Sequence, residues 1–275
     1  MPELPEVVTV VKLLAPKIIH QTIVKFEIYY RKLLWRNEVD DFKQRVENQT
    51  IQNIYNKGKY IIIELENDVI ISHLRMEGRW SVEPQKQLSY KENWLEAQFI
   101  FQDGNVLRYY DSRKFGTLEI VSKATFLSGE ALKNVGPAVL DPNLTAKYLY
   151  DVFRKNKRPI KTVLLDQSII AGIGNIYDNE ILFAAKINPL TLANQISLKK
   201  VENILKHAHN IIEHSISVGG TTIHSFAPQK DVIGGYQDFL KVHGREKQEC
   251  YVCQTKIEKM KIQGRGTYFC PFCQK

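Results

Sequence analysis

Four cysteines stand as Cys250-x2-Cys253 and, after sixteen intervening residues, Cys270-x2-Cys273. Two such pairs joined by a hairpin of this length make a tetrahedral four-thiolate zinc site, because each pair forms a tight knuckle whose sulfurs point at one ion. No coordination position stays open, so one structural zinc is expected, holding a hairpin too small to fold alone. Disulfide pairing is the alternative, and nothing in the sequence places the chain in an oxidising compartment. Between the pairs, "KMKIQGRGTYF" sets basic residues around Gly264-Arg265-Gly266 at the expected hairpin tip. There the backbone could approach a phosphate closely, with Arg265 as a bidentate donor; a solvated arginine on a turn is the plainer reading. At the other end, "MPELPEV" crowds two prolines and two glutamates into residues 2–7. Carboxylates so placed can move protons or merely favour a helix N-terminus.

The charge balance points to the same kind of partner. Lys and Arg number 38 against 30 Asp and Glu, a formal net charge of +8 over 275 residues. From Lys241 to Lys275 there are eight basic residues against three acidic ones. A polyanion is therefore the expected partner, nucleic acid before anionic membrane. There is no run of 18 apolar residues and no basic-then-apolar leader, so neither membrane insertion nor secretion is indicated, and a cytoplasmic location is expected.

The elements that must position these groups follow from periodicity. Val7, Val10, Val11 and Leu14 recur at i, i+3, i+4 and i+7, the stripe of an amphipathic helix, with Pro5 in its first turn. From about Thr22 to Val121, short segments rich in Ile, Val, Tyr and Phe ("TIVKFEIYY", "YIIIELE", "VIISHLRM") alternate with turn signals, which reads as a β-sandwich or barrel. "KNVGPAVLDPNLT" carries Gly136, Pro137 and Pro142 and marks a boundary, after which helices dominate to about Val218. In the last of them Leu198, Val201, Leu205, Ile212 and Ile216 are expected on one face, ending on glycine. The segment Gly219 to Asp238 has no clear period and reads as a long loop, of a length that is usually either functional or disordered.

Taken together, the two ends of the chain closely resemble those of formamidopyrimidine-DNA glycosylases, bacterial enzymes that remove oxidised purines such as 8-oxoguanine. The resemblance runs the whole length through "PELPEV", "KGKY" at 57–60, "HLRMEG" at 73–78, "DSRKFG" at 111–116, "AGIGNIYDNE" at 171–180 and "GRGTYFCPFCQK". It implies an α+β fold: a two-layer antiparallel β-sandwich with an N-terminal helix, then a helix-two-turn-helix region and a zinc hairpin. The implied boundaries are a catalytic sandwich over 1–133, a linker over 134–143, a DNA-binding helical domain over 144–237 with a lesion-capping loop at 219–238, and the hairpin over 238–275. It further implies a nucleoid-associated monomer acting on double-stranded DNA that contains oxidised purines or abasic sites, with no catalytic metal and no nucleotide cofactor.

By the same resemblance Pro2 is the nucleophile once Met1 is removed. The chemistry suits it, since a terminal amine titrates near 8 against about 10.4 for lysine, and a helix N-terminus depresses it further while nearby carboxylates oppose. A secondary amine at C1′ of deoxyribose gives an iminium that deprotonation cannot neutralise. Glu3 is then the general acid toward the sugar ring oxygen, Glu6 a proton shuttle or stabiliser of the cation, and Lys59 and Arg265 belong to the catalytic set. Met76, Arg113 and Phe115 fill the gap left by the extruded nucleotide, Met and Phe as wedges and Arg toward the orphaned cytosine. Lys59, His73, Asn175 and Arg265 hold phosphates, with Lys57 the nearby alternative to Lys59. Viewed singly, Met76 and Phe115 would more often be core residues and His73 a structural histidine, while Asn175 reads equally well as a helix cap.

Three positions depart from the family pattern: Val8 where glutamate is usual, "KENW" at 91–94 and "GPAVL" at 136–140. Val8 lies near the family's lesion pocket, so it bears on damaged-base preference rather than on the chemistry. The rival readings are an endonuclease VIII-like enzyme for oxidised pyrimidines, whose usual start is "PEGPE", and a silent DNA-binding paralogue, against which the intact Pro2, Glu3, Glu6 and Lys59 argue.

Overall fold

A computed structural model describes residues 1–222 and 233–275. The chain divides into two compact units. Met1–Lys133 and Gly219–Gly235 form the first, and Asn134–Val218 and Tyr236–Lys275 the second. Most of the expected capping loop, residues 223–232, lies outside the described residues. Among the described residues no helix is long and apolar enough to cross a membrane.

The first unit opens with helix α1, Leu4–Ile18, whose Val7, Val10, Leu14 and Ile18 are buried in the core. Strands β1 (Ile23–Ile28), β2 (Asn53–Lys57), β3 (Tyr60–Glu64), β4 (Asp68–His73), β5 (Arg79–Pro84), β6 (Leu95–Phe101), β7 (Asn105–Tyr110) and β8 (Thr117–Ser122) form two four-stranded antiparallel sheets, β1-β6-β7-β5 and β2-β3-β4-β8. Phe26, Trp80, Phe99, Ile61, Ile63 and Leu118 from both sheets share one core with α1. A short helix α2, Val39–Val46, interrupts the strands and was not foreseen in the sequence. It buries only Phe42 and Val46, a stripe too short to stand out as a helical period.

The second unit holds α3 (Ala146–Arg154), α4 (Ile160–Leu164), α5 (Asn175–Ala184), α6 (Leu198–Ser217) and the hairpin β9 (Glu258–Ile262) and β10 (Arg265–Phe269). Helix α5 is its centre, with Tyr177 through Phe183 buried. The buried face of α6 is Val201, Ile204, Ala208, Ile212 and Ser215, rotated from the expected stripe; Leu198 is exposed. The rotation follows from a polar contact that an apolar count overlooks, the Tyr177 hydroxyl on Ser215 Oγ at 2.6 Å. Lys161 is wholly buried and donates to Asp178 Oδ2 and Asn179 Oδ1, each at 2.8 Å, so its charge is paired inside the unit. Glu180 accepts the backbone N–H groups of Lys241, Val242 and His243, fastening α5 to the chain that leads into the hairpin.

Candidate active site

Glu3 is the N-cap of α1, with extended backbone (φ −106°, ψ −172°). Its backbone N–H donates to Glu6 Oε2 at 2.8 Å and its side chain accepts from the Glu6 N–H, a reciprocal box that fixes both carboxylates at the helix start. Both are nearly fully buried, which a carboxylate tolerates only when well supplied with donors. Glu6 Oε1 receives two more, from Thr221 N at 2.7 Å and Thr221 Oγ1 at 2.9 Å. Preceding Thr221, Gly220 (φ +81°) must be glycine on two grounds: its backbone is left-handed, and a Cβ would come within 2.8 Å of Glu6 Oε1.

Pro2 is buried beside these carboxylates. At Met1, burial pushes the amino group below its ordinary pKa, Glu3, Glu6 and Glu77 oppose that shift, and Lys59 adds to it. Lys59 is itself buried, placed by the tight Gly58-Lys59 turn between β2 and β3, whereas Lys57 is the last residue of β2. A terminal amine at this position, beside two buried carboxylates and a cation, can act as a nucleophile whose proton has somewhere to go.

Two further loops rise from the same unit. His73 ends β4, the β4–β5 loop that follows carries Met76 and Glu77, and the β7–β8 loop carries Asp111 to Gly116. Buried Asp111 accepts three backbone N–H groups, from Arg113 at 2.8 Å, Phe115 at 3.0 Å and Gly116 at 2.9 Å, curling the loop around one carboxylate. Arg113 lies over the Phe115 ring at 4.9 Å, and Phe115 is 52% exposed, an apolar side chain offered to solvent.

His73 is buried, edge-on to Tyr60, and its Nδ1 accepts the Arg75 N–H at 3.0 Å. That fixes the neutral ring as the Nε2–H tautomer, a donor suited to an anionic oxygen. Burial, with Arg75 and Lys59 nearby, pushes its pKa down to about 3. The folded value lies below the unfolded one, so this stabilisation is complete above about pH 6.5 and is lost as pH falls toward 3. The His73 ring resonances should accordingly show no titration between pH 5 and 8 by NMR; an inflection near 6.5 would contradict the buried neutral ring.

In the second unit, Asn175 is the first residue of α5, after the N-cap Gly174, and its Nδ2 donates to Gly266 O at 3.0 Å. That bond ties the hairpin to the helix start. The hairpin tip is Gln263-Gly264, both with positive φ (+46° and +76°), as a two-residue turn demands, so Arg265 opens β10 instead of capping the turn. Arg265 is exposed, and Gly266 is an ordinary strand residue paired with Lys261.

The four cysteine sulfurs lie within 4.8 Å of one another, with Cys253 and Cys270 Sγ atoms 3.4 Å apart and Cys250 and Cys273 4.0 Å apart. Tetrahedral thiolates with bonds of about 2.3 Å to zinc stand about 3.8 Å apart, whereas a disulfide needs about 2.0 Å. The donor set fits one zinc ion, and all four cysteines are free of disulfides. Cys250 and Cys270 share a small core with Phe183, Val242 and Ile257.

Within the first unit the residues singled out in the sequence thus fall into an N-terminal group (Pro2, Glu3, Glu6, Lys59) and a two-loop group (Met76, Arg113, Phe115), with His73 at the end of β4. Within the second, Asn175 and Arg265 lie at the tip end of the hairpin, Asn175 bonded to Gly266 and Arg265 beside the turn. Thr221 and Asp111 were overlooked. Only the "GGTT" run hinted at the first, and an aspartate opening a glycine-closed loop at the second.

A family model for the formamidopyrimidine-DNA glycosylase N-terminal domain matches residues 1–118, one for the formamidopyrimidine-DNA glycosylase H2TH domain matches 135–227, and one for a zinc finger found in FPG and IleRS matches 247–275. The chain is 42% identical to formamidopyrimidine-DNA glycosylase of Ureaplasma parvum over 280 residues, covering all of both chains. It is 42% identical to that of Mycoplasma genitalium, covering all of this chain and 96% of the relative. A Lactococcus lactis FPG mutant in complex with a Fapy-dG containing DNA superposes with a TM-score of 0.93 at 34% identity over 100% of both chains. The Lactococcus lactis Fpg in complex with an abasic site containing DNA gives 0.92 at 34% identity over 99% of each.

Proposed function

The chain belongs to the formamidopyrimidine-DNA glycosylase family, and from that premise we propose how its own residues release an oxidised purine from duplex DNA and then cut the strand. The observation that carries the reading is the amine pocket: buried Pro2 at the chain start, next to two buried, donor-supplied carboxylates and Lys59, where burial already pushes the Met1 amine down. Once Met1 is removed, the Pro2 nitrogen attacks C1′ of the damaged nucleotide. Its bond to C1′ forms, the bond to the base breaks, and the base leaves with a proton. Glu3 protonates the sugar ring oxygen as the ring opens to the iminium, and Glu6, held by Thr221, stabilises that cation. The iminium acidifies the C2′ protons, and β and then δ elimination expel the flanking phosphates.

Met76, Arg113 and Phe115 take the space of the extruded nucleotide, and Lys59, His73, Asn175 and Arg265 hold phosphates. Zinc on Cys250, Cys253, Cys270 and Cys273 contributes folding energy to the hairpin and no reactivity, since four thiolates fill its coordination. Val8, apolar beside the amine pocket, is the position we assign to lesion preference. The setting for this repair is the nucleoid in the bacterial cytoplasm, and the protein acts as a monomer.

Borohydride reduction during reaction with a duplex bearing 8-oxoguanine opposite cytosine should trap a covalent complex, with mass spectrometry placing the adduct on Pro2. A zinc-loaded, Met1-free protein that binds this duplex yet gives no adduct would overturn the proposed nucleophile. Trapping only with oxidised pyrimidines would favour the endonuclease VIII-like alternative.

A further inference from the structure

Tyr109, near the end of β7, is completely buried, with its hydroxyl aimed between two glycines of different loops. A Cβ built on Gly78 would stand 2.0 Å from that oxygen, and one built on Gly116 would stand 1.8 Å from it. Neither glycine has positive φ, so both positions require room rather than a special backbone: Gly116 for the Tyr109 hydroxyl and ring, Gly78 for the same hydroxyl and for the Leu74 carbonyl of its own loop, which a Cβ would meet at 2.7 Å. Gly78 closes the loop that carries Met76, and Gly116 closes the loop that carries Arg113 and Phe115. Trp80, from β5, meets the Tyr109 ring edge-on at 4.9 Å and fixes it from behind.

Two more ties join the same loops. The Ser112 hydroxyl donates to Glu77 Oε2 across the gap between them. Asp111, two residues beyond Tyr109, gathers the N–H groups of Arg113, Phe115 and Gly116. One stem at the end of β7 therefore sets the position of both loops at once.

We propose that Tyr109, Asp111 and the Ser112–Glu77 bond form a positioning support that holds the Met76 loop and the Arg113–Phe115 loop in fixed register, so that three side chains enter the duplex as one wedge. Separate loops move independently on the nanosecond to microsecond scale, and each inserted side chain would have to be ordered as it entered. A shared support orders them before the encounter and aims Arg113 at the base opposite. These are positioning residues for extrusion and take no part in the chemistry at the sugar. The inference rests on the void-filling reading of Met76, Arg113 and Phe115.

Tyr109→Phe tests it with little structural disturbance. The Tyr109 hydroxyl is buried with no hydrogen-bond partner among the described residues, so deleting it leaves nothing unsatisfied and the melting temperature should hold or rise. Excision of 8-oxoguanine paired with cytosine should fall about tenfold, and discrimination between cytosine and adenine opposite the lesion should weaken. Cleavage at a preformed abasic site, where no paired base need be unstacked, should change by less than twofold. Ser112→Ala, at a partly exposed position, should shift the same ratio in the same direction. Equal losses on both substrates, or no loss on either, would overturn the support.

Met76→Ala and Phe115→Ala, read by fluorescence of 2-aminopurine beside the lesion, separate the two layers. If these variants leave unstacking unchanged, the void-filling reading fails and the support fails with it. If they lower unstacking while Tyr109→Phe and Ser112→Ala do not, the support alone fails.

Discussion

Replacing Glu3 by glutamine should lower the rate of 8-oxoguanine release by roughly 10²–10⁴-fold, the range expected when a positioned general acid is removed. Affinity for a duplex carrying a stable abasic analogue should stay within a few fold. The separation is expected because Glu3 has two independent duties. As N-cap, its side-chain oxygen accepts from the Glu6 N–H, and a glutamine carbonyl can do the same, so the start of α1 and the placement of Glu6 survive. The attraction of a charge to the helix N-terminus disappears, about 0.3–1 kcal/mol, too little to unfold the unit. What glutamine cannot do is donate a proton to the sugar oxygen. Single-turnover excision and fluorescence anisotropy on the same preparation check both halves, and wild-type excision by Glu3→Gln would remove the acid from Glu3.

Stripping the zinc should cost at least 100-fold in affinity for duplex DNA and flatten the dependence of that affinity on salt. Residues 247–275 have a core of a few side chains, with Ile257 packed beside Cys250 and Cys270. Structural zinc sites in isolated finger peptides supply roughly 10–16 kcal/mol, more than such a core can replace. Without the ion the β9–β10 hairpin opens, Asn175 no longer reaches the Gly266 carbonyl, and Arg265 is no longer held beside α5. For every phosphate that a cation ceases to neutralise, the slope of log affinity against log salt should fall by about 0.9. Arg265→Ala in zinc-loaded protein removes one such cation and should reduce the slope by about 1 while leaving the fold intact. Chelation followed by elemental analysis and anisotropy at several salt concentrations decides the matter. Unchanged affinity and slope in metal-free protein would dissociate the hairpin from DNA binding, and recovery with zinc but not magnesium is the expected control.

How far the sequence could be read depended on the range of the interaction concerned. Knuckle spacing is local, so the four cysteines were legible, and their sulfurs do converge within 4.8 Å. Helix α1 was legible because its stripe of Val7, Val10 and Leu14 is long and unbroken. Helix α2 was missed because two buried residues make no period, and the α6 face was misplaced because Ser215 is buried by a hydrogen bond, which an apolar pattern does not contain. The hairpin tip shifted by one residue, since both Gln263 and Arg265 flank Gly264 and composition alone does not say which of them takes positive φ. Thr221, hinted at only by the "GGTT" run, and Tyr109 were hard to read for a further reason. Their importance lies in what another segment brings to them, Glu6 in one case and Gly78 with Gly116 in the other.

The bond from Thr221 to Glu6 joins residues 215 positions apart. On a ribosome adding roughly 5–20 residues per second, some ten to forty seconds separate the synthesis of those two residues. The sandwich strands are all made in that interval, but the carboxylate beside the nucleophile receives its last two donors only after α6 has emerged. A nascent chain therefore carries Pro2 and both acids for most of its synthesis without the finished pocket, and the carboxylate's full set of donors arrives only near the end of synthesis.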